Sequence, residues 1–321
     1  MKNPRVIFAG TPEFARASLS ALVAHGIVPV AVLTQPDRPA GRGKRVTPSP
    51  VKRFAEQHEI PVMQPATLRE QTVADALAAR APDLLVVAAY GLLLPQNVLD
   101  IPTSGCLNVH ASLLPRWRGA APIQAAILAG DRQTGISLMA MTAGLDCGPV
   151  FATTAVDIGA DETAGELHDR LAVLGGSLLV EKLDDILNGT LSAVEQDDAE
   201  ASYAGKINKQ DARLDWSQDA ETLARHVRAY DPVPGAFFFV ADDAATSTDS
   251  LIRIKCWRGS AVPHVRGAPG EVLESGRDGV IVACGDGGLR LEELQLPGKR
   301  RAPAREFLQQ FDLNGRVLPQ A

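Results

Sequence analysis

Cysteine is scarce in this chain. There are four among 321 residues, Cys106, Cys147, Cys256 and Cys284, and no two stand in a Cys-x-x-Cys pair. The six histidines are scattered. This spacing argues against a metal centre such as a structural zinc and points to free thiols. No apolar run approaches the ~20 residues that span a bilayer. The opening Met1-Lys-Asn-Pro-Arg-Val-Ile passes straight into a strand pattern without a leader profile, so a cytoplasmic home without membrane association is the default expectation. G-x-G-x-x-G is missing, which disfavours a dinucleotide cofactor. The Walker spacing G-x-x-x-x-G-K-[ST] is missing as well, and no serine occupies a G-x-S-x-G elbow. Positive charge is not in excess: the net charge is −6, which argues against a general polyanion binder. Residues 1–205 carry all of that excess, whereas residues 206–321 balance at sixteen of each sign. Any nucleic-acid contact must therefore come from local basic patches.

What is there is ordinary for a globular protein: 45% hydrophobic and 22% charged residues. At roughly 100–200 residues per domain, the length predicts two domains. Arg5 to Gly10 reads as a buried strand. Thr11-Pro12-Glu13 has the N-cap, N1 proline and first-turn acid of a helix running to His25, with Gly26 as its stop. Val28 to Thr34 is a second strand, which completes a βαβ unit with a right-handed crossover. Further strands are predicted at 61–64, 83–89, 134–141 and 150–158, and helices at 51–58, 67–80, 120–128 and 162–187. The expectation is a Rossmann-like, mostly parallel α/β sheet over residues 1–205. An acidic-to-basic change in composition over 197–210 marks a linker. Leu214-Asp-Trp216 then opens a smaller domain, 206–321. There a helix (220–229), about five short strands with Gly-rich turns and a closing helix (304–311) predict a partly open β-barrel of OB type.

Three stretches carry chemistry. The first is Gly105-Cys-Leu-Asn-Val-His-Ala-Ser-Leu-Leu-Pro-Arg-Trp-Arg-Gly119. Extended chain alternates its side chains, so Asn108, His110 and Ser112 share one face. An amide and an imidazole two residues apart at a strand end form either a catalytic pair or a polar turn. The second is Gln35 to Arg53, with six basic residues, Arg38, Arg42, Lys44, Arg45, Lys52 and Arg53, against one acid, Asp37. Its glycines and prolines predict an irregular loop. It is either a solvated surface or a contact for phosphate, and loops of this length tend to be functional. The third is Thr142-Ala-Gly-Leu-Asp-Cys-Gly-Pro149, where Asp146, taken alone, reads as an Asx-turn aspartate.

Asn108-x-His110-x-Ser112-Leu-Leu-Pro-x-x-Arg-Gly119 followed by Gly144-Leu-Asp146-x-Gly148 resembles the 10-formyltetrahydrofolate-dependent formyltransferases. Within that family, the basic insert, the junction Tyr203-Ala-Gly-Lys206-Ile-x-Lys209 and a C-terminal barrel are similar to the branch whose acceptor is methionyl initiator tRNA. The resemblance implies direct attack of the amine on the formyl carbon, with no metal and no covalent enzyme intermediate. Asn108 and His110 would stabilise the oxyanion and Asp146 would assist proton transfer. It further implies folate contacts from Ala89, Tyr90, Gly91, Ser112, Leu113, Leu114 and Pro115. Phe14 would face the methionine side chain, and Arg38, Arg42, Lys44, Arg45, Lys206 and Lys209 would contact tRNA. A monomer without an obligate protein partner is the family expectation.

Overall fold

The computed structural model describes residues 4–40, 45–242 and 250–320. In chain order the first part is β1 (Val6–Gly10), α1 (Glu13–Ala24), β2 (Ala31–Leu33), β3 (Arg38–Ala40), β4 (Arg45–Thr47), α2 (Pro50–Gln57), β5 (Val62–Met63), α3 (Gln71–Ala78), β6 (Leu84–Ala88), α4 (Gln96–Leu99), β7 (Cys106–His110), β8 (Arg118–Gly119), α5 (Pro122–Ala129), β9 (Gln133–Ala140), β10 (Val150–Asp157), α6 (Ala164–Leu187) and β11 (Tyr203–Ala204). The seven-stranded sheet runs in the order β10-β9-β7-β6-β1-β2-β5. Strands β5, β2, β1, β6 and β7 are parallel, and β9 and β10 add antiparallel at one end. The fully buried runs of β1, β6 and β7 have the near-continuous apolar character of strands covered on both faces. After β1 the chain moves to β2 and β5, then crosses back to β6. The carboxyl ends of β1 and β6 thus form a topological switch point, where open α/β sheets bind ligands. Gly175 and Gly176 bring α6 close. A Cβ on either would lie 2.9 Å from Val109 of β7 or 3.0 Å from Ala21 of α1. Each glycine costs a helix about 1 kcal/mol relative to alanine, so close packing against β7 (Gly175) and α1 (Gly176) is what they provide.

The second part is α7 (Ala220–Ala229), β12 (Phe237–Ala241), β13 (Leu251–Val262), β14 (Val272–Gly276), β15 (Gly279–Ala283), β16 (Gly288–Gln295), β17 (Ala302–Pro303) and α8 (Ala304–Phe307). Its sheet is antiparallel, β12-β13-β16-β15-β14 with β17 added to β16, a curled half-barrel consistent with an OB-like domain. Trp216, Leu223, Val227, Phe238, Ile254 and Leu291 lie in its core. Two compact units result. One holds the chain to Pro122 with 133–157 and 168–205; the other holds 123–132, 158–167 and 206–321. Among the described residues no helix is long and apolar enough to cross a membrane.

Several local details differ from the sequence pattern. Thr11 does not cap α1; Pro12 occupies that position without a side-chain cap. The Thr11 hydroxyl is used elsewhere, donating to the Tyr90 carbonyl at 3.1 Å. The basic loop is not wholly irregular, because β3 and β4 pair as an antiparallel hairpin. Pro39 is tolerated there since a two-stranded ribbon is all edge. The 197–210 linker contains β11, which pairs with β8. Finally, α8 spans only 304–307, whereas β13 runs for 12 residues through irregular registers between Cys256 and Gly259.

Candidate active site

Strand β7 delivers the site. Leu107 and Val109 take the face that α6 covers at Val109, so Asn108 and His110 occupy the other. Both are buried, at 8% and 6% exposure. Buried polar groups need partners, and these have them. Asn108 Nδ2 donates to Asp146 Oδ1 at 3.3 Å. His110 Nε2 lies 3.0 Å from the Trp117 carbonyl oxygen. A carbonyl only accepts, so Nε2 carries the hydrogen. Nδ1 is then the nitrogen that faces Asp146 Oδ2, at 3.8 Å. That distance is too long for a hydrogen bond, and it becomes a charge pair when the imidazole takes a second proton on Nδ1.

Asp146 is not an Asx-turn residue. Its carboxylate accepts from groups far away in sequence, Asn108 Nδ2 and the Gly119 amide at 2.9 Å. Its own backbone sits at φ 48°, and Trp117 sits at φ 60°. Positive φ at non-glycine residues is uncommon and clusters at functional sites. Gly119, at φ 117°, has no room for a side chain, because a Cβ would lie 2.5 Å from the Ala204 carbonyl. The exit loop from β7 therefore holds both acid-base groups with its backbone, through the Trp117 carbonyl and the Gly119 amide.

The shared face of Asn108 and His110 does not extend to Ser112, because β7 ends at His110. Ser112 is fully buried and its hydroxyl donates to the Arg116 carbonyl at 2.6 Å. Leu113 packs where Gly135 has no side chain. Leu114 and Pro115 line a cleft of about 290 Å³ with Val150, Phe151, Gln196 and Glu200. At the switch point Ala89 is exposed at φ 42° and Gly91 at φ 81°. The Tyr90 carbonyl is engaged within the protein, accepting from Thr11 Oγ1 at 3.1 Å and Gln35 Nε2 at 3.0 Å. The Tyr90 ring is buried, which drives its phenol pKa upward. Phe14 lies in the first turn of α1, buried against the His168 ring with centroids 5.8 Å apart.

Arg38 is exposed in the hairpin, whereas Arg42 and Lys44 lie outside the described residues, as does the Arg45 side chain. Lys52 is committed: its Nζ donates to Asp37 Oδ2 at 2.7 Å, and this bond holds the Asp37 pKa below the usual carboxylate range. Lys206 and Lys209 are exposed, at the start of the second unit.

Sequence reasoning missed the groups that hold the loops. Ser137, fully buried, donates to the Ser112 carbonyl at 2.7 Å and accepts from Leu114 N at 3.0 Å. One polar residue in the apolar run Ile136-Ser-Leu138 was the available signal. Ser202, Gln196 and the 2%-exposed Arg118 also hold the loops; Arg118 stands in the quoted motif without a role there, and no local pattern distinguishes the other two.

A profile of the family described as "Formyl transferase" matches residues 4–183, and one described as "Formyl transferase, C-terminal domain" matches 206–312. A methionyl-tRNA formyltransferase of Aromatoleum aromaticum is 52% identical over 97% of this chain and 95% of its own length. One of Pseudomonas paraeruginosa is 53% identical over 92% of each chain. Among solved structures, HypX from Aquifex aeolicus in complex with tetrahydrofolic acid superposes with a TM-score of 0.63 at 19% identity. That match covers 98% of this chain and about half, 48%, of HypX. WlaRD, a sugar 3N-formyl transferase determined with dTDP and 5-N-formyl-THF, superposes with a TM-score of 0.63 at 16% identity, over 94% of this chain and 100% of that one. At such identities these structures speak to the fold alone. The two family profiles and the relatives at about half identity over nearly full length make this chain an enzyme of the formyl transferase family, belonging among the methionyl-tRNA formyltransferases.

Proposed function

We propose that this enzyme transfers the formyl group of 10-formyltetrahydrofolate to the α-amine of methionine on initiator tRNA, for translation initiation. The observation that carries the reading is the convergence of the Asn108 amide, His110 Nδ1 and the Asp146 carboxylate at the carboxyl end of β7. The neutral amine attacks the formyl carbon and a tetrahedral oxyanion forms. The Asn108 amide and a protonated His110 Nδ1 are the donors for that charge, each worth ~10²–10³ in rate if typical. The attacking nitrogen loses a proton to Asp146, directly or through one water. The bond from carbon to folate N10 then breaks, and N10 gains a proton from the His110–Asp146 pair. Asp146 suits this role because its side chain keeps 15% exposure while two donors fix its direction.

Folate binding is assigned to Ala89, Tyr90 and Gly91 at the switch point and to Ser112, Leu113, Leu114 and Pro115. With the Tyr90 carbonyl already engaged, the backbone of Ala89 and Gly91 is the part left to meet the pterin. HypX determined with tetrahydrofolic acid, and WlaRD with 5-N-formyl-THF, share this fold and support a folate co-substrate. Phe14 is assigned to the aminoacyl pocket. The basic residues of the 35–53 stretch, Arg38, Arg42, Lys44 and Arg45, together with Lys206 and Lys209, are assigned to tRNA phosphates. The hairpin favours tRNA over a small amine acceptor, which has no use for such an insert. His110→Ala is the direct test: turnover falls by at least about 10²-fold while tRNA binding stays within twofold of the parent. Near-parental kcat in that variant rejects the assignment.

A further inference from the structure

Gln196 comes from the stretch 188–202, between a single bridge at Val194 and a 3-10 turn at Asp198–Glu200. Its amide touches both loops that build the site. Nε2 donates to the carbonyls of Asp146, at 3.0 Å, and Gly148, at 2.7 Å. Oε1 accepts from Arg118 Nε at 3.0 Å. This orientation is the only one the partners allow. Turned over, the amide would set its oxygen against two carbonyls and its NH2 against a guanidinium N–H. All the donors and acceptors of the side chain facing these loops are used at once.

Arg118 is itself fixed. It is 2% exposed, and its second terminal nitrogen donates to Asp198 Oδ1 at 2.8 Å. Its backbone amide donates to the Ser202 carbonyl at 2.9 Å. The residue before it supplies the carbonyl that holds His110, and the residue after it supplies the amide that holds Asp146. Gln196 therefore joins the backbone that carries Asp146 to the backbone that orients His110. Val194, two residues earlier, is anchored to Val150 by a pair of backbone bonds at 2.8 and 2.9 Å, which sets the start of the segment beside the Asp146 loop.

We infer that Gln196 is a positioning residue for formyl transfer: its amide, braced by Arg118, sets the distance between Asp146 and His110. The inference rests on the catalytic reading of that pair given above. Asp146 sits at positive φ, so its loop does not hold this shape by local preference alone. The two carbonyls aimed at Gln196 are where the loop is tied. A displacement of about 1 Å at reacting groups can cost about 10²-fold in rate.

Gln196→Glu is the informative variant. It has the same shape and keeps, as an ion pair, the contact with Arg118, but it cannot donate to either carbonyl. Expected is a kcat 10- to 100-fold lower at a KM for methionyl-tRNA close to the parent's, with a lowered unfolding midpoint because a carboxylate oxygen now faces the two carbonyls. Gln196→Ala, measured beside it, loses at least as much. A double-mutant cycle with Asp146→Ala, read by single-turnover formyl transfer with enzyme in excess, separates the layers. If Gln196 acts through Asp146, then Gln196→Glu in the Asp146→Ala background costs less than threefold more. A Gln196→Glu enzyme within twofold of parental kcat overturns the inference. So does a loss that is fully additive with Asp146→Ala or that appears only as a raised KM or lost stability. Parental activity in Asp146→Ala is a different failure, since it overturns the catalytic reading itself.

Discussion

Asp146→Asn removes one charge and almost no volume, yet the geometry assigns it two separate losses. The carboxylate presents one oxygen to the Gly119 amide at 2.9 Å and the other to Asn108 Nδ2 at 3.3 Å. Asparagine has a single oxygen. The Gly119 N–H is backbone and cannot turn, so the oxygen goes there. The new NH2 group then meets the Asn108 amide, donor against donor. Asn108 relieves that clash by flipping, which sends its own NH2 away from the site. The variant thus loses the acid-base group and misdirects an oxyanion donor. The first is worth roughly 10²–10⁴ in rate and the second ~10²–10³. Groups serving one transition state do not add in full, so kcat should fall by about 10³- to 10⁵-fold. Asp146→Ala leaves Asn108 unflipped and should lose only the first share. Asparagine, although the closer mimic, should therefore be no better than alanine. Single-turnover transfer with enzyme in excess measures both variants, and steady-state KM for tRNA should stay within a few-fold. A kcat for Asp146→Asn within tenfold of the parent, or well above that of Asp146→Ala, refutes the reasoning.

The remaining predictions concern other parts of the molecule. Gly119→Ala places a Cβ 2.5 Å from the Ala204 carbonyl at φ 117°. It should lower stability by about 1–3 kcal/mol from backbone strain, read by urea unfolding; an unchanged midpoint contradicts this. Removing the charges of Arg42, Lys44 and Arg45 should raise KM for tRNA. It should also reduce the slope of log affinity against log salt by roughly 0.7–0.9 per lost phosphate contact, and an unaltered slope would mean that this basic stretch does not touch phosphate. Burial lowers the pKa of His226, on α7, to about 4 from 6.5. Above pH 6.5 the residue is neutral in both states and contributes nothing. As pH falls from 6.5 to 4 the unfolded chain takes the proton first, so stability declines over that window, by at most about 3 kcal/mol at 1.36 kcal/mol per unit. Urea midpoints at pH 7 and pH 5 should converge in His226→Gln relative to the parent.

The parts of the fold legible in the sequence were those with strong local signatures. The continuous apolar runs of β1 and β6 mark central strands, and the 220–229 amphipathic pattern gives α7 to the residue. Asn108 and His110 were legible as candidates because two polar positions on an apolar strand stand out, whereas Asp146 between its glycines reads as a turn residue and became a candidate only through the family resemblance. What escaped were contacts fixed only by tertiary structure. Thr11 reads as a cap, but its hydroxyl reaches the Tyr90 carbonyl 79 residues away. The hairpin of β3 and β4 is hidden under glycine and proline. The length of β13 was hidden because irregular pairing near Arg258 carries the strand past the point where its apolar alternation ends. Within the site, Ser112 reads as a third member of the Asn108–His110 face until the strand is seen to stop two residues earlier. Gln196, and the contacts that Arg118 makes from within the motif, were invisible for a plainer reason. A glutamine among acids and an arginine in a basic loop exit carry no periodicity, and their roles come from loops brought together across 48 to 80 residues.

The most direct test offers purified enzyme 10-formyltetrahydrofolate with each of three acceptors: methionyl initiator tRNA, free methionine and an amino-sugar nucleotide. The account predicts transfer to the charged tRNA alone. Comparable transfer to the amino-sugar nucleotide would keep Asn108, His110 and Asp146 in place but contradict the acceptor and the purpose given to the basic hairpin.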